Sequence, residues 1–462
     1  MQRIRLILFC LLCLIWVYPA NAMDYSPEKQ WIAQVDPDDD KIFEESSSLD
    51  DEDIDESWDG EKGSVEEKKD SLWDIFDQTR FTLQQNLAYQ TGESDGLIVN
   101  RSSIRVEWSN LFSDNYYLHF DGKLTMFGSH DHSNDSLEED MREGYLQISM
   151  GNLSVSFGKK IVVWGEADGA VVTDIISPRD KSEFVFTTLS ESRVGQYLLL
   201  FDLYTDSGTW SFIVNPDPRI NTGPESCSEY YIDSFPDSLF EVEVKNPDES
   251  DTEFAFRWKQ TFGKSDLSIM AGDLVENQAV YRYSGSNSGK YQLTKGFSRY
   301  QVLGIAANYA IGNFLWKQEV AYKANRSFQK QTFTEYNNVL EKDVLDLALG
   351  MEYSYSKFNL YLETSNQLIL NWKSTLYNEE NETSIIFIMG YDFLNETLKL
   401  EYSLSYQIQN RYTVHKVESD YEFTDNLRGI LSFTKLYFDR ESSALWPLRG
   451  KHRIDLSIKY QF

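Results

Sequence analysis

The last ten residues, Arg453-Ile454-Asp455-Leu456-Ser457-Ile458-Lys459-Tyr460-Gln461-Phe462, alternate polar and apolar side chains without exception. Because successive side chains of a β-strand point to opposite faces, one face of this strand is entirely apolar and the other carries only charged groups, a hydroxyl and an amide. Such a strand suits a wall between lipid and water, which is what a strand of a transmembrane β-barrel provides. The apolar face consists of Ile454, Leu456, Ile458, Tyr460 and Phe462.

The same stretch resembles the C-terminal signature of bacterial outer-membrane proteins, in which a terminal aromatic residue follows apolar residues at every second position. The resemblance implies that these five residues form the signal for insertion into the outer membrane. It also implies two partners, the lipid of that membrane and the barrel-assembly machinery.

Alternation with a period of two recurs from residue 79 onward, for example in 345–355 and 398–409. Because one face of each strand is polar, the pattern predicts antiparallel strands rather than the continuous apolar strands of a parallel sheet. Short Gly/Asn turns such as 151–152 and 312–313 alternate with long polar stretches, so we expect the short turns on the periplasmic side. The sequence therefore predicts an all-β fold over 78–462, a transmembrane antiparallel barrel of about 18 strands, or 16 if a hairpin within 193–214 is absent.

The N-terminus predicts the compartment. Arg3 and Arg5 precede a short apolar core, and Ala20-Asn21-Ala22 follows it, which is the pattern of a secretory signal peptide over 1–22. The core is too short for a spanning helix, which needs about 20 residues. Of the three cysteines, Cys10 and Cys13 leave with the signal, so the remaining Cys227 has no internal disulfide partner.

Residues 23–77 hold 21 Asp or Glu and 5 Lys or Arg, in a chain of net charge −31. Apolar residues are too sparse there for a core, so we expect a largely disordered acidic extension in the periplasm. Its carboxylate runs lack the spacing and turn glycine of a calcium loop. The acidic charge also argues against a nucleic-acid partner.

The connection that begins at residue 161 is the candidate functional segment, because long loops inside compact folds tend to be functional. We expect residues 161–180 to fold inward and shape a pore constriction, with Arg179 pairing with Asp174 or Asp180. The length of the loop does not reveal its direction, so an outward, solvated loop stays open as the alternative. The candidate constriction residues are Trp164, Glu166, Asp168, Asp174, Arg179 and Asp180.

The stretch 158–180, GKKIVVWGEADG followed by TDIISPRD, resembles the proteobacterial outer-membrane barrels known as domain of unknown function 1302. Softer similarity extends over 79–462. The resemblance implies a barrel that passes hydrophobic or lipid-like molecules, with an RND-type inner-membrane exporter as a further partner. It transfers no catalytic residue and no cofactor.

Catalytic motifs are absent from the sequence. The chain has five histidines, and none lies beside a nucleophile signature, a phosphate loop or a paired Cys motif. His130 and His132 stand near Asp131 and Asp135, but a loop without a further histidine favours a solvated segment over a metal site. We therefore expect a non-enzymatic channel for small or hydrophobic molecules, without cofactor or metal. The alternatives are a structural or surface-interaction barrel with a closed lumen and an outer-membrane hydrolase.

Overall fold

The computed structural model of the chain describes residues 78–92, 95–129, 131, 136–167, 169–170, 172–441 and 445–462. The predicted signal peptide (1–22) and the predicted acidic extension (23–77) lie outside the described residues.

Strands dominate the described part of the chain. In chain order they are β1 (Thr79–Gly92), β2 (Gly96–Ser113), β3 (Tyr116–Phe127), β4 (Leu137–Met150), β5 (Leu153–Lys160), β6 (Gln196–Thr205), β7 (Gly208–Asn215), β8 (Phe240–Val244), β9 (Glu253–Phe262), β10 (Ser265–Val275), β11 (Val280–Asn287), β12 (Lys290–Gly296), β13 (Arg299–Ile311), β14 (Phe314–Gln329), β15 (Val339–Tyr355), β16 (Phe358–Ile369), β17 (Asn381–Phe393), β18 (Leu398–Gln407), β19 (Tyr412–Thr424), β20 (Leu427–Phe438) and β21 (Lys451–Gln461).

In the part of the chain that the structure describes, helical structure is confined to single turns. These are α1 (Leu189–Ser192) and the 3₁₀ turns Glu249–Asp251, Leu394–Glu396 and Trp446–Leu448. Among the described residues, no helix combines the length and the apolar character needed to cross a bilayer.

Eighteen strands form one closed antiparallel sheet, and β8, β11 and β12 form a separate one. β21 closes the barrel on β1, and the chain end takes part in the closure. The Phe81 N–H donates to the Phe462 carbonyl at 2.9 Å, and the Phe462 N–H donates to the Phe81 carbonyl at 3.0 Å. The predicted all-β barrel with 18 strands is confirmed.

Short turns and long connections lie at opposite ends of the barrel. Turns such as 151–152, 263–264 and 312–313 join strands at the end where both β1 begins and β21 ends. Gly312 adopts a φ of 60°, which a two-residue hairpin turn requires and glycine accepts without steric cost. The longer connections, including 161–195 and 216–239, lie at the other end.

The alternation of β21 separates the two faces of the wall. Its apolar residues Ile454, Leu456, Ile458, Tyr460 and Phe462 are 39 to 57% exposed, whereas Arg453 on the other face is 6% exposed. An apolar outer face is what a hydrocarbon surrounding selects, and a polar inner face suits water. The role of these five residues as an assembly signal stays a prediction.

The sequence analysis missed the small sheet, because the strands of this sheet lie in stretches that it treated as long polar connections. β8 pairs in parallel with β12, and β12 pairs antiparallel with β11. β8 is only five residues long, and its partner Tyr291–Lys295 is remote in sequence. A strand so short, paired so far along the chain, leaves no local signal.

Candidate functional site

The connection 161–195 between β5 and β6, hereafter the inserted segment, contacts inward-facing side chains on opposite sides of the barrel. It ends in the helical turn α1, where the Thr188 hydroxyl caps the first turn by accepting the Glu191 N–H at 3.3 Å. Three groups of contacts hold it. They are backbone bonds to β14 and β16, an apolar core, and ion pairs to β2, β3, β4 and β21.

Glu319 on β14 binds the first part of the segment through backbone N–H groups. Its Oε1 accepts the N–H groups of Glu166 and Ala167, the latter at 2.7 Å, and its Oε2 accepts the Thr173 N–H at 3.0 Å. The residues directly opposite Glu319 on the neighbouring strands are Ala306 and Ala348. Because both neighbours are small, the backbone of the segment can approach the carboxylate.

A second carboxylate, Glu363 on β16, accepts the Gly169 N–H at 3.3 Å. A Cβ atom at Gly169 would lie 1.8 Å from Ile386 Cδ1 and 3.0 Å from Glu363 Oε1. Close approach to the wall therefore requires glycine at this position.

An apolar core lies between the segment and this part of the wall. Trp164, at 2% exposure, is buried in it, and the Arg257 guanidinium lies 5.3 Å from the centre of its ring. Burying a Val, Ile or Leu side chain contributes about 1.5–3 kcal/mol, so this contact is a substantial part of what holds the segment. The segment contributes Val162, Trp164, Ala167, Val172, Ile175 and Ile176, and the wall contributes Leu198, Leu200, Ile213, Ala255, Met270, Leu274, Tyr300, Val302, Ala306, Ala321 and Ala348.

Asp174 links the two ends of the segment. Its Oδ2 accepts from Arg179 Nη2 at 3.0 Å and from Arg193 Nε at 3.2 Å, and all three side chains are largely buried. Burial lowers the pKa of Arg179, and the adjacent Asp174 carboxylate opposes that shift. An arginine keeps its charge in proteins, so this is a buried three-residue ion cluster.

Glu183 bridges two arginines on the side of the barrel opposite Glu319. Arg101 on β2 lies 2.6 Å from one carboxylate oxygen, and Arg453 on β21 lies 2.8 Å from the other. Burial alone would raise the pKa of Glu183, but Arg453 and Arg101 outweigh it and lower the pKa below its ordinary value. The next residues, Phe184 and Val185, pack in a second apolar cluster that includes Leu436 and Leu448.

Glu191 in α1 faces three cations. Arg105, Lys123 and Arg142 lie 3.3, 3.4 and 3.5 Å from its carboxylate. Burial favours a raised pKa, yet the surrounding cations, Lys123 foremost, hold the pKa of Glu191 well below its usual range. The Arg142 guanidinium also donates to the carbonyls of Ser190 and Glu191, at 3.1 and 3.2 Å, and so caps the C-terminal end of α1.

The predicted constriction residues occupy different surroundings. Trp164, Asp174 and Arg179 are buried as described above, and Arg179 pairs with Asp174 rather than with Asp180. Glu166 accepts from Asn308 Nδ2 at 2.9 Å and lies 3.5 Å from Lys259 Nζ. Asp180 accepts from the Thr222 hydroxyl at 2.8 Å, and Asp168 lies outside the described residues.

The sequence analysis missed the wall residues that hold the segment: Glu319, Glu363, Arg101, Arg105, Arg142 and Arg453. A signal was available for Glu319, because it is a charged residue at an inward position of the alternating strand Phe314–Gln329. The signal did not identify its partner, which lies about 150 residues earlier.

Two of the described histidines contact polar side chains of the wall. His119 Nε2 lies 3.8 Å from a Glu143 oxygen, and His415 Nδ1 lies 2.8 Å from the Tyr402 hydroxyl. Within the described ranges, no group of three His, Cys, Asp or Glu side chains is placed to hold a metal ion. The weaker metal candidates His130 and His132 lie outside these ranges.

Several solved outer-membrane channel barrels share this fold. Pseudomonas aeruginosa OpdK, solved with vanillate, is 9% identical with a TM-score of 0.50, over 83% of this chain and 98% of its own. Acinetobacter baumannii OccAB4 is 11% identical with a TM-score of 0.50, over 83% of this chain and 97% of its own. At such identities the likeness shows the fold alone.

No protein-family model matches the chain, and no curated protein matches it in sequence. The resemblance to domain of unknown function 1302 therefore stays a prediction. The chain has the fold of an outer-membrane channel barrel, an 18-strand antiparallel wall with a segment packed against its inward-facing side chains.

Proposed function

We propose that this protein is an outer-membrane channel for small solutes, and that the inserted segment lies across its lumen and narrows it. The observation that carries the proposal is the double attachment of one segment. Glu319 on β14 binds its first part, and Arg101 and Arg453 on β2 and β21 bind its second part. A loop packed on the outside of the wall would meet apolar side chains instead.

The part of the inner wall that the apolar core does not cover supports passage of water-soluble molecules. Its inward positions on β18 and β19 that stay partly exposed include Lys399, Glu401, Ser405, Lys416 and Glu418. Hydroxyl, amide and charged groups along a lumen stabilise water and polar solutes. Hydrophobic or lipid-like cargo, which the family resemblance implies, is the alternative that the experiment separates.

In this proposal the predicted constriction residues have two roles. Trp164, Asp174 and Arg179 anchor the segment, because their side chains are buried against protein. Glu183 and Glu191 lie where the segment meets the charged part of the wall, so their ion pairs border the open part of the lumen.

The test is reconstitution of the full mature chain in planar lipid bilayers and in liposomes. We expect discrete conductance steps in potassium chloride and swelling of liposomes in isosmotic sugar. Deletion of residues 165–173, which removes the part bound by Glu319, is expected to enlarge the conductance step. Heat-modifiable migration on gels verifies that each variant is a folded barrel.

Two outcomes oppose the proposal. Folded protein that neither conducts nor swells liposomes indicates a closed lumen, and a deletion variant with unchanged conductance places the segment outside the conducting path. Impermeable liposomes together with copurifying lipid favour the hydrophobic conduit and an RND-type exporter as partner.

A second candidate is a surface-interaction barrel, which exposed aromatic rings on the long connections favour. Tyr231, Tyr291 and Tyr336 are 44, 40 and 69% exposed and lie outside the barrel strands. A closed lumen combined with a bound partner that is lost when these rings are removed supports it. A hydrolase has no comparable observation among the described residues.

A further inference from the structure

A cavity of about 580 Å³ lies at the long-loop end of the barrel, above the inserted segment. Its floor is formed by residues such as Ala170 and Ile175, and its sides by 221–237, by 276–281 and by the ends of β13 to β16. A volume of this size falls in the range of about 300–1,000 Å³ that small-molecule sites occupy. The cations that pair with Glu183 and Glu191 do not line this cavity. The cavity is therefore separate from those ion pairs.

The charges of this cavity are balanced. Counted over the described residues, its lining holds five acidic side chains (Asp174, Asp233, Asp237, Glu276 and Asp346) and five basic ones (Arg179, Lys181, Lys295, Lys323 and Arg326). The whole chain carries a net charge of −31, so the balance of charges in this lining differs from that of the chain as a whole. The lining offers no net attraction to a charged ligand.

The deepest charges in the lining are also paired with one another. Lys323 Nζ lies 2.7 Å from an Asp346 oxygen, and Arg326 Nε lies 3.2 Å from a Glu276 oxygen. Arg326 further stacks over the Tyr300 ring, 5.3 Å from its centre. Binding a lone charge here would compete with these pairs and would remove the ligand's hydration without a matching partner.

The remaining lining combines aromatic rings with groups that both donate and accept hydrogen bonds. Phe235 and Tyr281 form a ring pair with centroids 4.3 Å apart, and Tyr231, which also lines the cavity, is 44% exposed. The partly or fully exposed amides and hydroxyls of the lining include Asn277, Gln278, Gln367 and Ser234. Hydroxyl groups of a ligand match amides and hydroxyls in both directions, and the C–H face of a sugar ring packs on an aromatic ring.

We propose that this cavity binds a neutral, hydroxyl-bearing solute of mono- to disaccharide size before it enters the channel. The role as an entry site rests on the proposed channel function, whereas the binding itself does not. Because binding and conduction are separate measurements, failure of one is distinguishable from failure of the other.

The test is calorimetric titration of the detergent-solubilised mature chain with maltose, and then with glucose, glucosamine and glucuronate as a matched set. We expect maltose and glucose to bind, and glucosamine and glucuronate to bind about tenfold more weakly because each brings an unpaired charge. Maltose added to the long-loop side of a conducting bilayer is expected to interrupt the current. Conduction without sugar binding overturns the cavity assignment, and binding without conduction overturns the channel.

Variants sharpen the assignment. Tyr231→Ala is expected to weaken maltose binding about threefold to tenfold, the contribution of one aromatic contact. Tyr336→Ala is the matched control, because Tyr336 is 69% exposed and outside the lining. Asp346→Asn removes one negative charge from the lining and should shift preference from glucose toward glucuronate. Equal loss in both tyrosine variants, or tighter binding of a charged sugar or of glycine betaine by the wild type, contradicts the proposal.

Discussion

The inserted segment meets two parts of the barrel wall that differ in chemistry. Toward β6, β10 and β13 to β15 the segment contacts mainly apolar or small side chains, and the Glu319 carboxylate accepts its backbone N–H groups. Toward β2, β3, β4 and β21 it contacts arginine and lysine side chains through ion pairs with Glu183 and Glu191, and Phe184 and Val185 pack in the second apolar cluster.

The difference predicts that the two parts of the wall hold the segment with unequal free energies. Each side chain buried in the apolar core contributes about 1.5–3 kcal/mol, whereas each partly exposed ion pair contributes about 0–1 kcal/mol. The side chains of Glu183 and Glu191 are 18 and 35% exposed, so water reaches the charged part. We infer that the first half of the segment, with six side chains in its apolar core, is held more firmly than the second half, where Phe184 and Val185 are buried in the second cluster.

The largest effect is expected from Glu319→Ala. This substitution leaves three buried N–H groups without their acceptor, at a cost on the order of 1–3 kcal/mol for each. The first part of the segment should detach, with higher conductance and new protease cleavage within 161–180. Gln318→Ala, on the outer face of the same strand, is the control. Unchanged cleavage and conductance in Glu319→Ala would show that the apolar core alone holds the segment.

Gly169→Ala is expected to have the next largest effect. The new Cβ would overlap Ile386 Cδ1, and overpacking of this kind costs about 1–3 kcal/mol. The loss, measured as the midpoint of unfolding in denaturant, should be smaller when Gly169→Ala is made in an Ile386→Val background, because valine lacks the Cδ1 atom that the new Cβ would meet. Gly223→Ala is the control, because nothing lies within 4 Å of its added Cβ. Independent, additive effects of the two substitutions would contradict the close approach.

Glu183→Gln tests the charged part and should have a smaller effect. Two cation pairs are weakened together, and we expect a loss of about 1–2 kcal/mol in attachment of the second half. The matched control Glu241→Gln removes a carboxylate from the exposed strand β8. Protease sensitivity should rise within 181–195 and stay unchanged within 161–175. A rise over the whole segment would mean that the two halves are released together.

The smallest effect at neutral pH, and one that grows only in acid, comes from protonation. Since the pKa values of Glu183 and Glu191 are lowered in the folded state, their contribution is complete above the ordinary glutamate pKa of about 4.3 and is lost as pH falls through the lowered values. The contribution of these two carboxylates to conductance should therefore stay constant from pH 8 to about 4.3 and change below that. The double variant Glu183→Gln/Glu191→Gln should lack the acid step. A step between pH 5 and 7 would exclude these two carboxylates as its origin.

Local sequence signals carried the prediction of the wall. Alternation with a period of two marks each strand, and Gly/Asn turns such as 312–313 mark the hairpins, so the strand count needed no tertiary information. The small sheet shows where such signals end. Phe240–Val244 alternates as well, but its parallel partner is remote in sequence, and nothing local announces the pairing.

The candidate site shows the same limit. The length and composition of 161–180 mark it as unusual, and the buried positions of Trp164, Asp174 and Arg179 agree with a structural use of those residues. The partners of the segment could not be read from it. Glu183 meets Arg101 and Arg453, which are 82 and 270 positions away.

The sequence by itself determined the barrel, because lipid outside and water inside impose an alternation that each strand displays independently of the others. The tertiary structure alone decided which inward residues became contacts of the inserted segment. Glu319 is an ordinary charged residue of an alternating strand until Ala306 and Ala348 lie beside it and leave room for a backbone to approach. Closing the sheet sets that neighbourhood, since the register between strands brings together side chains that the chain order keeps apart.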